Sequence, residues 1–444
     1  MTVLAAARAA IASGPVCDPC LGRLFADRSF GLTNRERGRS VRVALALEDD
    51  EPFDPPEEDC WVCEGECDRF DVWAERAAAA LRGYDFASYQ VGTSVPPLIE
   101  ENGRLLREDA GLDPEAGELL KSECNREVGK RLGRLTGTEV DFERPDVQVR
   151  CDLATDEVDV QVNSAFVYGR YRKLERDIPQ TEWPCRECNE TGIKRGEECP
   201  GCDGTGYRYD RSVEELTAPV VREAMDGESA TFHGAGREDV DALMLGSGRP
   251  FVIEVDDPRV RDVDVAALER EIDDYADGAV EVEGLRLATY DMVERVKELD
   301  ASKTYRMDVA LQAPVDEATF DDALAALDGA TIQQETPQRV DHRRADLTRT
   351  REVYGIDGEL VDGEADASDR ATVEVHGEGG LYVKELVSGD DGRTVPSLAG
   401  ELGVGATVTA LDVLDVAGED EPFADPEYFR SGAEVDEGSS PSDA

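Results

Sequence analysis

The chain has 444 residues, enough for two or three domains at roughly 100–200 residues each, and its 40% hydrophobic content can bury a core, which excludes wholesale disorder. Its formal net charge of −52, from 48 basic and 100 acidic residues, reads at first as a bar to any anionic partner. Yet only seven of the basic residues are Lys, so Lys is nearly stripped out while Asp and Glu run throughout, as in proteins that work in molar salt; there the Debye length falls to about 3 Å and diffuse charge repels little beyond contact. The charge then reports the solvent, and local basic clusters keep their meaning. The alternative is an acidic protein of ordinary salt whose ligands are cations.

The N-terminus, MTVLAAARAAIASG, is short and amphipathic with no basic stretch ahead of an apolar block, and no run of about 18 apolar residues occurs anywhere in the chain. A cytoplasmic protein without a membrane span is expected, with a monomer as the default. Residues 48–58 are acidic and proline-bearing and read as a loop. FDVWAERAAAALRG, from Phe70, is an amphipathic helix stopped by Gly83, and YQVGTSVPP is a strand running into a turn. ELLKSECNREVGKRLGRLTG is a polar helix, and VQVRCDL and EVDVQVN alternate with period two as paired strands. YGRYRKLERDIPQT is a basic segment, with three basic residues among positions 170–173. Beyond a cysteine insert, VEELTAPVVREAM, DVAALEREIDDYADG and DEATFDDALAALDG read as helices. RPFVIEV, TYRMDVALQ, ATVEVHG, LYVKELVSG and ATVTALDVLDV read as strands, and the residues after about 430 as a disordered acidic tail.

Eleven cysteines in an intracellular chain argue for metal or redox use over disulfides. Cys185-x-x-Cys188 and Cys199-x-x-Cys202 lie close together, each followed by a Thr-Gly, and two such knuckles can present four thiolates to one tetrahedral Zn²⁺. Cys17, Cys20, Cys60 and Cys63 form a second set across a longer loop, with Cys67 as a possible substitute. Two structural zincs are expected, closed sites that fold the chain and leave no position for catalysis. Cys124 and Cys151 read as small core residues.

The remaining chemistry is narrow. The three histidines, His233, His342 and His376, sit in no HExxH pattern, and neither GxSxG nor a Walker motif is present. What stands out is HGAGREDVDALMLGSGRPFVIEV, in which Gly236 precedes Arg237, Glu238 and Asp239, and a second glycine turn leads to the strand at Phe251. Composition alone favours a surface Asp capping a helix.

Gly236-Arg237-Glu238-Asp239 resembles the catalytic turn of pseudouridine synthases. GREDVDALMLGSGRPFVIEV, KTYRM, TPQRVDHRRADLTRTR and GLYVKELVSGDDGRTVPS, in that order, resemble the Pus-ten family of tRNA pseudouridine synthases. KSECNREVGK and YRKLERDIPQTEWPC resemble that family's THUMP-containing RNA-binding half, and CDPCLGR its N-terminal cysteine pair, so the resemblance covers nearly the whole chain except the tail. It implies an α+β, multidomain fold: a pseudouridine synthase domain with a mixed, largely antiparallel sheet and flanking helices, preceded by a zinc-bearing THUMP-type α/β RNA-binding domain. The expected divisions are a cysteine-rich region 1–67, a THUMP-containing domain 68–183, a zinc-knuckle insert 184–206, a catalytic domain 207–430 and the tail 431–444.

The resemblance also implies roles. Asp239 matches the nucleophile and Lys384 the basic residue that pairs with it. Tyr305 and Tyr382 match residues against the target base, and Arg237, Arg339, Arg343 and Arg344 substrate contacts. Without it, Tyr305 is a core strand residue and Tyr382 and Lys384 a solvent-facing pair on one side of a strand. Lys121, Arg126, Lys130, Arg131, Arg170, Arg172, Lys173 and Arg176 are the expected tRNA contacts; otherwise they form a solvated face. The expected reaction converts uridine 54, uridine 55 or both, in the T-loop of tRNA, to pseudouridine without an organic cofactor. The rivals are a non-catalytic zinc-containing tRNA-binding protein, a chaperone-like zinc module, for which no HPD tripeptide is present, and a THUMP-bearing methyltransferase, for which no glycine-rich cofactor loop is present.

Overall fold

Residues 2–56, 59–337, 347–361, 367–416 and 425–430 are described by the structure, a computed structural model. The chain divides into two compact units, 1–164 and 165–444.

The first unit comprises α1 (Val3–Ala12), α2 (Asp18–Arg23), α3 (Asn34–Asp49), α4 (Phe70–Ala80), β1 (Ser88–Ser94), α5 (Pro97–Asp109), α6 (Leu120–Thr136), β2 (Glu139–Val140), β3 (Val147–Asp152) and β4 (Glu157–Val162). Its sheet runs β2-β1-β3-β4, with β1 parallel to β2 and β3, and β3 antiparallel to β4. The alternation of VQVRCD turns Val147, Val149 and Cys151 inward, where α4 and α6 cover them with Trp73, Ala77, Cys124, Val128 and Leu132. Cys124 and Cys151 are thus core residues. The same hydrophobic cluster takes in Leu21, Leu24 and Val62 from before residue 67, so the first 67 residues share one core with residues 68–164.

The second unit comprises β5 (Ala165–Lys173), a hairpin of β6 (Ile193–Lys194) and β7 (Glu197–Glu198), α7 (Val213–Ala224), β8 (Ser229–Gly234), β9 (Leu243–Asp256), α8 (Val265–Ala276), β10 (Val280–Ala288), α9 (Tyr290–Lys297), β11 (Lys303–Asp316), α10 (Glu317–Leu327), β12 (Thr331–Glu335), β13 (Thr348–Leu360), β14 (Ala367–Gly377), α11 (Val383–Ser388), β15 (Thr394–Val395), α12 (Leu398–Leu402) and β16 (Ala406–Val416). Ten strands form one sheet in the order β10-β5-β9-β16-β11-β14-β13-β12-β15, with β8 on β9. All pairings are antiparallel except β16 with β9. One core lies under α7 and α8, and a second under α10, α11 and α12; Tyr305 packs against both. On the other face of the first half, α9 covers Phe166, Tyr168 and Val252, which is why β5 begins as a continuous buried run.

Three expectations change. The boundary drawn at 183 moves to 164, because β5 belongs to the large sheet. LYVKELVSG is not a strand: Val383, Leu386 and Val387 are buried at helical spacing, and the segment is the short helix α11 with Gly389 left-handed at its end. The Gly246-Ser247-Gly248 stretch is no turn before a strand but a kink inside β9. Gly246 has φ +57°, and a Cβ there would sit 1.8 Å from the Leu414 carbonyl oxygen, so only glycine lets β9 meet β16. The 431–444 tail lies outside the described residues.

Candidate active site

The loop between β8 and β9 carries Arg237, Glu238 and Asp239, and residues on β5 and just after it hold that loop from below. The period-two alternation of β5 places Tyr171 and Lys173 on its buried face, both fully buried. Lys173 Nζ donates to the carbonyls of Ile178 at 2.8 Å, Val240 at 3.0 Å and Asp239 at 3.3 Å. Arg249, also buried, donates from Nη1 to the Ala235 carbonyl at 2.8 Å and places Nε 2.9 Å from Glu238 Oε2. The Glu238 carboxylate, its side chain 1% exposed, accepts from the Tyr171 hydroxyl at 2.9 Å and lies 3.9 Å from Lys173 Nζ. Gln180 Nε2 donates to the Tyr171 hydroxyl at 2.8 Å and to the Gly236 carbonyl at 2.9 Å. Burial holds the Tyr171 phenol protonated and pulls Lys173 below its usual range, while Glu238 opposes the latter shift. Withdrawing one partner of such a buried set costs about 3–5 kcal/mol.

The turn holds Asp239 outward, its side chain 45% exposed, with Oδ2 2.8 Å from Lys384 Nζ on α11. The neighbouring Asp241 is further away, at 4.0 Å, and 67% exposed. Tyr305, at the start of β11, completes the group: burial first and then the charge of Asp239 push its phenol up to about 12, against Arg249, which pulls it down. The phenol is therefore neutral near neutral pH. The structure thus pairs Asp239 with Lys384 and brings Tyr305 within reach of the Asp239 charge. Tyr382 caps α11, its backbone clamped from both sides by Gln334, which accepts from the Tyr382 N–H and donates to its carbonyl, each at 2.9 Å. Its hydroxyl is buried with no partner among the described residues, and its ring lies 5.8 Å from the Arg349 guanidinium. Because residues 383–388 are helical, Tyr382 and Lys384 do not share a strand face. Arg237 is exposed, and Arg339, Arg343 and Arg344 lie outside the described residues.

The expected RNA contacts divide. Lys173 is wholly buried under the Asp239 loop and cannot reach a ligand. Arg176 donates to the Asp241 carbonyl at 2.8 Å and pairs with Asp412, Arg170 donates to the carbonyls of Ser247, Gly248 and Val416, and Arg172 pairs with Glu281 and Glu283. These four belong to the second unit: Lys173 and Arg176 hold the backbone of the Asp239 loop, Arg170 ties β9 to β16, and Arg172 pairs with carboxylates of β10. On α6, Lys121 and Lys130 are exposed, whereas Arg126 pairs with Glu118 and Glu127, and Arg131 with Asp71 and Glu127.

Two four-cysteine groups can each hold a metal ion: Cys17, Cys20, Cys60 and Cys63, and Cys185, Cys188, Cys199 and Cys202, whose sulfurs lie within 4.8 Å of one another in each set. In the second, the two knuckles repeat the same local bonds. Thr191 and Thr205 donate to the Cys188 and Cys202 carbonyls at 2.6 and 2.7 Å, the reason a Thr comes after each pair. Cys67 stands outside the first set, 3.9 Å from Cys20, with Arg23 Nη1 3.0 Å from its sulfur.

Comparison with known proteins shows the family. The family description "Pus10, C-terminal" matches residues 166–417, and "Pus10 THUMP domain, archaeal" matches 73–152. A tRNA pseudouridine synthase Pus10 from Halorubrum lacusprofundi is 66% identical over 97% of this chain and 100% of its own length. Relatives of the same name from Methanothrix thermoacetophila and Pyrococcus furiosus are 42% and 36% identical, covering 91% and 93% of this chain and 92% and 98% of their own. A solved chain of a Cbf5-Nop10-Gar1 complex aligns over 46% of this chain and 45% of its own at 20% identity, with a TM-score of 0.29, too slight a likeness to carry weight. The class is that of the pseudouridine synthases, isomerases of uridine in RNA. Within it, the chain belongs to the Pus10 family, with the archaeal THUMP domain. Among the described residues no helix is long and apolar enough to cross a membrane.

Proposed function

We propose that the protein isomerises uridine 54, uridine 55 or both in the T-loop of tRNA, in the cytoplasm, with Asp239 as nucleophile. The observation that carries this is the 2.8 Å pairing of a solvent-reachable Asp239 with Lys384, on a loop fixed from beneath. The target uridine leaves its stack to enter the site, as for other enzymes that work on bases. Asp239, paired with the Lys384 ammonium at 2.8 Å, attacks C1′ of the ribose or C6 of the uracil as a carboxylate. The N1–C1′ bond breaks, the ring turns, C5 bonds to C1′, the bond to Asp239 breaks to free the carboxylate, and the C5 proton is lost as N1 gains one. Tyr305, a neutral phenol, packs on or hydrogen-bonds the base, and Tyr382, its ring 5.8 Å from the Arg349 guanidinium, is the second base contact. Arg237, Arg339, Arg343 and Arg344 bind the substrate, and Lys121 and Lys130, with Arg126 and Arg131 beside them, contact tRNA; Arg172 joins them only at the cost of its ion pairs. In molar salt, counterion release adds little, so stacking and close hydrogen bonds carry the affinity. The two thiolate sets suit Zn²⁺, which holds the chain together and takes no part in the reaction.

The test is incubation with an unmodified tRNA transcript in molar KCl and mapping of pseudouridine across the T-loop. Modification at 54, 55 or both supports the reading. Tight tRNA binding with no pseudouridine establishes a non-catalytic tRNA-binding protein instead. In the same assay Lys384→Met is expected to lower the rate about a hundredfold, the size seen when one charge-stabilising group is lost, with tRNA affinity nearly unchanged. A rate within threefold of wild type removes Lys384 from the site chemistry.

A further inference from the structure

Beneath the nucleophile lies a polar cluster that the reaction does not touch. Lys173, Glu238, Arg249 and Tyr171 are buried together, and a core that needed only stability would hold apolar residues here, since a buried ion pair seldom outdoes them. Their bonds converge on one short stretch of backbone: Lys173 grips the carbonyls of Asp239 and Val240, Arg249 that of Ala235, and Gln180 that of Gly236. Glu238 inserts its carboxylate between Arg249, Tyr171 and Lys173 while the next residue points out to Lys384. The chain thus alternates an anchor turned inward with a reacting group turned outward.

The geometry points to Lys173, Glu238 and Tyr171 as positioning residues for the isomerisation, which hold the Asp239 turn at attacking distance without contacting RNA. This rests on the synthase reading above. It gives the basic segment after residue 168 a second meaning: Lys173 serves the rate of the chemical step, not tRNA capture. Transition-state geometry tolerates little looseness, because a displacement of about 1 Å at a reacting group costs about a hundredfold.

The experiment compares wild type, Lys173→Met, Glu238→Gln and Tyr171→Phe in single-turnover assays with saturating enzyme, beside tRNA dissociation constants and thermal melts. Lys173→Met and Glu238→Gln are expected to slow the saturated rate about a hundredfold, with dissociation constants within about twofold of wild type. Tyr171→Phe removes one hydroxyl without changing charge and little volume, so it keeps the fold if the charged variants do not; its expected loss is about tenfold in the same rate, the worth of one hydrogen bond to a charged group. A folded Lys173→Met or Tyr171→Phe that keeps the saturated rate within a factor of two overturns the proposal. So does a loss confined to tRNA affinity, which returns Lys173 to RNA capture. An inactive wild type sinks the synthase reading and this inference with it, whereas an active wild type beside unaffected variants sinks the inference alone.

Discussion

Asp239→Ala is expected to abolish pseudouridine formation, with a fall of about 10⁴-fold or more in the single-turnover rate, as befits loss of a covalent nucleophile. Its tRNA affinity should not fall. The side chain is 45% exposed and its removal unpairs the Lys384 ammonium, a charge that RNA phosphates attract. Asp241→Ala is the matched control: it lies in the same loop but 4.0 Å from Lys384, with its side chain 67% exposed. Its rate should stay close to that of wild type, because the carboxylate that pairs closely with Lys384 is still in place. Equal losses in both variants would mean that the loop's charge, and no particular carboxylate, is what matters.

Stripping metal should have the second large effect, and it should differ between the two sites. In residues 184–206 the only buried cluster is the four sulfur-bearing side chains themselves, Cys185, Cys188, Cys199 and Cys202. Without a shared ion these residues have no apolar core, and structural zinc contributes on the order of 10 kcal/mol to such a fold. After chelation, hydrogen exchange across 184–206 should reach the rate of an unfolded chain. The set at Cys17, Cys20, Cys60 and Cys63 instead sits in a cluster with Leu21, Leu24, Phe25 and Trp73. The helices around it should lose protection only partly. Protected amides in 184–206 after complete chelation would show that a metal is not what folds the insert.

The candidate site was legible through the family resemblance of its motifs, not through composition or periodicity. Asp239, Tyr305 and Lys384 could be matched because their motifs keep local spacing, and the structure brings all three together through β9, β11 and α11. What escaped the sequence reading depends on tertiary contact. A dense run of Arg and Lys reads as an RNA surface, and only parity along β5 reveals that Lys173 shares the inner face with Val167 and Tyr171. That signal was present in YGRYRK and was outweighed by charge. The short helix α11 escaped because β-branched Val383 and Val387 beside Tyr382 suggest a strand, whereas the helical spacing of Val383, Leu386 and Val387 counts only once the second core buries them. Glu238 carries no local signal at all: its role comes from Arg249 and Tyr171, whose positions are set by neighbouring strands.

The seating of β16 between β9 and β11 has a consequence for how the enzyme comes into being. Strand neighbours in this sheet are far apart in sequence: β9 was made more than a hundred residues before the strand that lies beside it. Synthesis runs from the N-terminus, and long-range pairings form late and slowly. Until residue 416 has emerged, β9 and β11 have nothing to join them, and the Asp239 loop is not yet on the same sheet as Tyr305. A nascent or truncated chain therefore carries a pre-assembled half-sheet but no working centre, and modification of RNA waits for the last strand to be threaded into the middle.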